Sequence, residues 1–186
     1  MEDEKKKKEE HGFLYELFSM LFYLILILFV FFLLIHYVGQ RTQVDGSSMN
    51  PTLSNGDNLI IEKISYRFHA PKRFDIIVFP YLHQKKTYYV KRIIGLPGET
   101  VFIDEEGTIY INGEILEEHY GLENIENPGR ASDEILLGKD EYFVLGDNRN
   151  NSSDSRDSLV GNIKRKDIVG KVFCRIWPFS KMKRIT

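Results

Sequence analysis

Thr87-Tyr88-Tyr89-Val90-Lys91-Arg92-Ile93-Ile94, closed by Gly95-Leu96-Pro97-Gly98, is the stretch from which the fold is read. Its β-branched and aromatic residues favour an extended strand, and the Gly-Leu-Pro-Gly sequence ends it in a turn. One face of such an apolar run is buried. Working outward, Asn58–Glu62 and Asp75–Phe79 have the same composition and are bounded by Asn55-Gly56-Asp57 and Phe79-Pro80. Downstream, Val101–Ile103, Thr108–Ile111 and Glu114–Leu116 read as a meander. Asn112-Gly113 suits its tight hairpin turn, where both central residues need positive φ. Residues 117–135 are acidic and read as an irregular loop; Glu141–Leu145 and Ile168–Phe173 read as the last strands. The expectation is an all-β domain over residues 39–186, with 101–140 as an appended hairpin subdomain.

Before this domain the sequence changes character. Residues 1–16 form a charged tail whose first ten positions hold five acids and four lysines. Leu17–Val38 then runs 22 residues without a formal charge. At 1.5 Å per residue this helix is roughly 33 Å long, close to the hydrocarbon thickness of a bilayer. It has no polar face, as a core helix would, and no small-residue cleavage site, as a removed leader would. A transmembrane helix over 17–38 is the reading. Lys5, Lys6, Lys7 and Lys8 precede it and only Arg41 follows closely. The excess of positive charge places the N-terminus in the cytoplasm and the β domain outside.

Composition removes several function classes. Net charge is −2, with 25 basic and 27 acidic residues, which argues against nucleic acid as a partner. Cys174 is alone, so there is no intrachain disulfide and no CxxC metal or redox motif. The sequence has no GxSxG, HExxH, phosphate loop or GxGxxG. Its five histidines have no metal-ligand spacing. Asp147-Asn148-Arg149-Asn150-Asn151 is not a calcium loop, because Arg149 stands where an oxygen ligand is needed and Ser152 replaces the glycine at position six.

Three polar clusters remain: Gly46–Leu53, Tyr89–Gly98 and Gly146–Arg156. Each alone reads blandly, as a turn, a strand with a solvent-facing lysine, and a surface loop. Lys91 is the least bland. Burial disfavours its ammonium and can lower its pKa by several units from about 10.4, each unit being worth about 1.4 kcal/mol. A neutral amine can take the proton of a serine hydroxyl and make a nucleophile without histidine.

Taken together and in order, Ser48-Met49-Asn50-Pro51-Thr52-Leu53, Arg73–Phe79, Lys91–Gly98 and Gly146-Asp147-Asn148-Arg149 through Ser152, Asp154, Ser155 and Arg156 resemble bacterial type I signal peptidase. That family comprises membrane-bound serine proteases that remove signal peptides from exported proteins. The resemblance covers about Val44 to Val172 and implies the signal-peptidase-like β fold of several small sheets. It implies Ser48 as nucleophile, Lys91 as general base and Ser152 as a hydrogen-bond partner of the lysine amine. Asp147, Arg149, Asp154 and Arg156 become a supporting charge network. It implies no cofactor and no metal. Two positions depart from the pattern. Gly46 stands where Gram-negative relatives carry a second oxyanion serine, which leaves the second donor open between a backbone N–H, a water and Ser47. Phe74 stands where the family usually has glycine, which puts the local turn in doubt.

Position matching lines the substrate pockets with Val44, Met49, Leu53, Leu59, Val78, Tyr89 and Val90, for small residues at the first and third positions before the cut. For Leu53 and Leu59, plain core packing is an equal alternative. Ser48 follows the anchor by ten residues, a reach of roughly 33–36 Å at most, so the nucleophile stays near the outer membrane surface. The implied partners are preprotein signal peptides, the lipid bilayer, touched by Trp177, Phe179, Lys181, Lys183 and Arg184, and the translocation machinery as a further candidate; the implied location is a bacterial plasma membrane. One rival reading is a self-cleaving regulatory protease of the Ser-Lys class, against which the anchor and the Gly146–Arg156 loop argue. The other is a catalytically silent, membrane-tethered peptide binder, which should lack the serine or the lysine; this chain keeps both.

Overall fold

The computed structural model describes residues 2–33, 39–84 and 86–185. The chain divides into two compact units, Met1–Gly39 and Gln40–Thr186. The first is a helix, α1 (Glu2–Leu33). Within it Tyr15–Phe32 has a mean hydropathy of 2.3 and buries none of its length, so it is long and apolar enough to cross a membrane. Residues 34–38, the end of the span expected from sequence, lie outside the described residues.

The strands that follow, of which only the first residue falls in the first unit, are β1 (Gly39–Gln43), β2 (Asn58–Glu62), β3 (Ile76–Pro80), β4 (Tyr88–Gly95), β5 (Thr100–Ile103), β6 (Ile109–Ile111), β7 (Glu114–Ile115), β8 (Ile135–Leu136), β9 (Glu141–Leu145), β10 (Ile163–Lys164), β11 (Gly170–Trp177) and β12 (Lys183–Arg184). The larger sheet has the order β1-β2-β11-β3-β4-β9-β10, with β12 on β11; the smaller is β7-β6-β5-β8. The protein is therefore mostly β-sheet with one N-terminal apolar helix. Asn112 and Gly113 turn β6 into β7 at φ +54° and +82°.

The alternation of each strand assigns its side chains to different cores. Ile76 and Val78 of β3 pack with Leu53, Leu59 and Val172, whereas Ile77 and Phe79 pack with Ile93, Tyr142 and Val144. Both faces of the large sheet are covered, which is why its strands read as continuous apolar runs. A third core joins Val101, Ile103 and Ile109 of the small sheet to Ile94, Phe143 and Leu145 of β4 and β9.

Some boundaries differ from expectation. β11 continues to Trp177 because Arg175, which would interrupt an apolar strand, is buried against Asp57 at 2.7 Å. Four short strands lack a composition signal: β1, β8, β10 and β12. The turn at Phe74 survives without glycine. Phe74 holds φ +71°, its N–H donating to the Ile93 carbonyl at 2.8 Å. That left-handed conformation costs about 1–2 kcal/mol for a side-chain-bearing residue. The ring recovers contact against Tyr120, centroids 5.0 Å apart.

Candidate active site

β4 lies between β3 and β9, with Lys91 opposite Ile77 and Arg92 opposite Leu145. Lys91 is 3% exposed. Its Nζ donates to Ser48 Oγ at 2.8 Å and to the Val90 carbonyl at 3.1 Å, and sits 5.0 Å from the centre of the Tyr89 ring. Tyr89 is itself fixed by stacking on Tyr81 at 4.7 Å. Desolvation pushes the Lys91 amine down to about 8, against an opposing pull from the carboxylates of Asp154 and Asp147. At this distance an amine that has lost its proton can receive one from the hydroxyl.

Ser48 is presented by a turn whose flanks are anchored in the core. Met49 and Leu53 are buried, and the Leu53 N–H donates to the Met49 carbonyl at 2.8 Å. Gly46 adopts φ +105°, with its N–H donating to Asn55 Oδ1 at 3.0 Å. The Ser47 hydroxyl accepts from Asn151 Nδ2 at 3.0 Å. The Ser48 N–H has no acceptor among the described residues.

The Gly146–Arg156 loop holds the other side of this turn. The Asn148 N–H donates to the Ser48 carbonyl at 3.0 Å and Asn148 Nδ2 to the Ser47 carbonyl at 3.2 Å. Contact is so close that a Cβ on Gly146 would fall 2.2 Å from Ser152 Oγ and 2.5 Å from the Ser48 carbonyl oxygen. The hydrogen bond expected between Ser152 and the lysine amine is not formed. Lys91 Nζ turns to the Val90 carbonyl, and Ser152 Oγ is buried beside Gly146 without a hydrogen-bond partner among the described residues.

The four charged residues of this loop are buried; Arg156 Nη2 donates to both Asp154 and the Arg149 carbonyl, while Asp147 and Arg149 find their counter-charges outside the loop. Asp154 and Arg156 pair at 2.9 Å, and Asp154 Oδ2 also accepts the Gly146 N–H at 3.1 Å. Asp147 instead takes a two-pronged bond from Arg92, at 2.8 and 2.7 Å. Arg149 Nη2 lies 2.7 Å from Glu118 Oε1, held by charge and not by an aligned hydrogen bond. Arg92, Asn148 and Glu118 had no assigned role in the sequence reading. For Arg92 a signal existed: a guanidinium inside a buried strand requires a counter-charge.

A groove of about 350 Å³ runs past Ser48 and Lys91, and Gly46, Val44, Met49, Val78, Tyr89 and Val90 line it. Leu53 and Leu59, also expected in the pockets, are fully buried in the core beneath. They share a cluster with Ile61, Ile76, Val172 and Ile185 and do not line the groove.

Residues 16–177 match the profile of a family described as "Signal peptidase, peptidase S26". The chain is 40% identical over 155 residues to a probable signal peptidase I-2 of Synechocystis, covering 81% of this chain and 68% of that protein. It is 37% identical over 188 residues to signal peptidase I P of Bacillus subtilis subsp. natto, covering 97% of both. It is 41% identical over 156 residues to signal peptidase I of Bacillus caldolyticus, covering 78% and 83%. An amine and a serine hydroxyl brought together beside a groove, on a β scaffold, are thus found in a chain that belongs to the signal peptidase family, peptidase S26.

Proposed function

We propose that this peptidase is a membrane-tethered endopeptidase that removes N-terminal signal peptides from exported preproteins, with Ser48 as nucleophile and Lys91 as general base. The observation that carries the reading is the 2.8 Å separation of Lys91 Nζ from Ser48 Oγ in a setting that keeps the amine dry. Neutral Lys91 takes the Ser48 proton as Oγ attacks the scissile carbonyl carbon. The Ser48 N–H donates to the oxyanion of the tetrahedral intermediate. Lys91 returns the proton to the leaving amine of the mature protein, leaving the signal peptide as an ester on Ser48. A water that gives a proton to Lys91 then attacks this ester; the signal peptide leaves as a carboxylic acid and Ser48 regains its proton.

Val44, Met49, Val78, Tyr89 and Val90 supply apolar walls close to the reacting carbonyl, which suits small side chains before the cut. Asp147, Arg149, Asp154 and Arg156 hold their loop without touching the reacting atoms. Cleavage of a preprotein by wild type, Ser48→Ala and Lys91→Met tests the dyad. Both variants should lose activity, and unchanged cleavage by either one overturns the assignment.

The helix is read as a single-pass anchor with the lysine-rich N-terminus in the cytoplasm and the peptidase domain on the outer face of a bacterial plasma membrane. Trp177 and Phe179 are exposed, and Lys181, Lys183 and Arg184 are exposed near them, a composition suited to lipid headgroups and the acyl boundary. Trp177 is the sole tryptophan, so its fluorescence in proteoliposomes reports this contact. Brominated lipids should quench it; emission that does not respond to them removes the bilayer as a partner of this edge.

A further inference from the structure

The segment that the sequence presents as an acidic, irregular loop is tied to the machinery at several points. Arg92 Cζ lies 3.7 Å from the centre of the Tyr120 ring, which also packs against the Phe74 ring, and the Tyr120 N–H donates to Glu118 Oε2 at 2.7 Å. Arg92 Nη1 donates to the Phe74 carbonyl at 3.0 Å, so Arg92, Phe74 and Tyr120 form one contact cluster. The Leu122 N–H donates to the Asp147 backbone carbonyl at 2.9 Å, fixing the main chain of the residue whose carboxylate Arg92 grips. Glu118 pairs with Arg149 at 2.7 Å. Gly121 passes so near that a Cβ there would lie 3.3 Å from Arg149 Cζ. Further along, Asn150 Nδ2 donates to the Asn124 carbonyl, and the Glu126 N–H donates back to Asn150 Oδ1, both at 2.9 Å.

The contacts of Tyr120 converge on Arg92 and Phe74, and those of Glu118, Gly121, Leu122, Asn124 and Glu126 on residues 147–150. Those residues in turn reach the nucleophile, because Asn148 holds the carbonyls of Ser47 and Ser48 and Asn151 holds the Ser47 hydroxyl. The loop is therefore gripped on one side by residues 118–126 and grips the Ser48 turn on the other. Arg92 adds a second route, since it is the next residue after Lys91 on β4.

We propose that residues 118–126 form a strap that positions the nucleophile, with Tyr120 and Glu118 as its positioning residues, acting through Arg92–Asp147 and Arg149. This inference rests on the Ser48–Lys91 reading. Neither residue touches substrate. The apolar groove walls, Val44, Met49, Val78, Tyr89 and Val90, lie outside the strap and outside the loop it grips, which adds only Asn151 and Ser153 to the lining; peptide binding is therefore retained while the approach of Ser48 Oγ to the scissile carbon is degraded.

The test uses the full chain in detergent micelles with a peptide spanning a signal-peptide cleavage site. Folded fraction is measured by circular dichroism at the assay temperature, so that kcat refers to folded enzyme. Misplacement of a reacting atom by about 1 Å can cost 100-fold, and a strap acting at one remove should give a loss of roughly 10-fold. Tyr120→Ala and Glu118→Gln should each lower kcat by that order with KM within about twofold. Tyr120→Phe should recover most of the Tyr120→Ala loss, since the contacts with Arg92 and Phe74 need the ring. His119→Ala, an exposed neighbour on the same strap, should behave as wild type. If Tyr120→Ala and Glu118→Gln lower only the melting temperature while kcat of the folded enzyme stays at the wild-type value, the strap is structural and the proposal fails. Loss appearing wholly in KM would also overturn it, by placing the strap in substrate binding. Ser48→Ala is run alongside: if it still cleaves, the dyad reading fails by itself, whatever the strap variants do.

Discussion

Lys91 links catalysis and stability through one proton, so a single titration should appear in two independent measurements. Burial holds the amine down at about 8, against 10.5 for the free side chain. With that value the neutral base is ~1% of the enzyme at pH 6, ~9% at pH 7 and ~90% at pH 9. On a peptide with no group titrating in this range, kcat/KM should rise tenfold per pH unit below 8 and level off above it. Stability follows the same group with a fixed sign. Between pH 8 and 10.5 the unfolded chain keeps the proton that the folded chain has released, so raising the pH through this window stabilises the wild type. Below pH 8 the folded state bears the whole cost of a buried ammonium, about 3 kcal/mol for this lowering. Lys91→Met removes that cost together with the bonds to Ser48 Oγ and the Val90 carbonyl, a loss of about 1–2 kcal/mol. The variant should therefore be the more stable protein at pH 7 by roughly 1–2 kcal/mol, and lose that advantage by pH 10.5. At about 2–4 °C per kcal/mol for a domain of this size, the difference in melting temperature should swing by roughly 6–12 °C across the window. Thermal unfolding of the two full-length proteins in the same detergent measures the swing, and other titrating groups cancel in the difference. A kcat/KM that is flat from pH 6 to 8 would refute the reasoning. So would a methionine variant whose stability deficit is the same at both pH values.

Three further outcomes are expected. Removing one partner of the Arg92–Asp147 pair, by Arg92→Met or Asp147→Asn, leaves the other group buried without its counterpart and should cost about 3–5 kcal/mol; Arg92→Met combined with Asp147→Leu should recover part of it, read by denaturant unfolding. Phe74→Gly should be more stable than Phe74→Ala by about 1 kcal/mol, because both lose the contact with Tyr120 but only glycine relaxes at φ +71°. Gly146→Ala forces a methyl group against the Ser48 carbonyl oxygen and should lower kcat at least ~10-fold. Adding Ser152→Ala should not restore it, since the backbone clash remains; kcat for the single and double variants decides this.

What the sequence made legible depends on how far apart the deciding residues stand. β2, β4 and β9 were readable because their β-branched and aromatic content is local, and Asn112-Gly113 because a tight turn constrains its own two residues. Leu53 and Leu59 were not separable from the groove residues, because β2 and the turn before it are buried on more than one side and apolar composition does not say which side faces the substrate. Ser152 illustrates a different limit: a motif position fixes where a hydroxyl stands in the chain, but Lys91 Nζ bonds the Val90 carbonyl one residue away. The charges are the most instructive case. Arg92 sits in a strand covered on both faces, so the sequence already requires a carboxylate for it, yet Asp147 is 55 residues away and any buried acid would have met the need. Glu118 lies in a segment with no strand signal at all, and only the path of that segment across Asp147 and Arg149 makes it a partner. A buried charge announces from sequence that it has a counterpart; which residue answers is decided by topology, and in this protein topology brings the answering residues to the loop that holds Ser48.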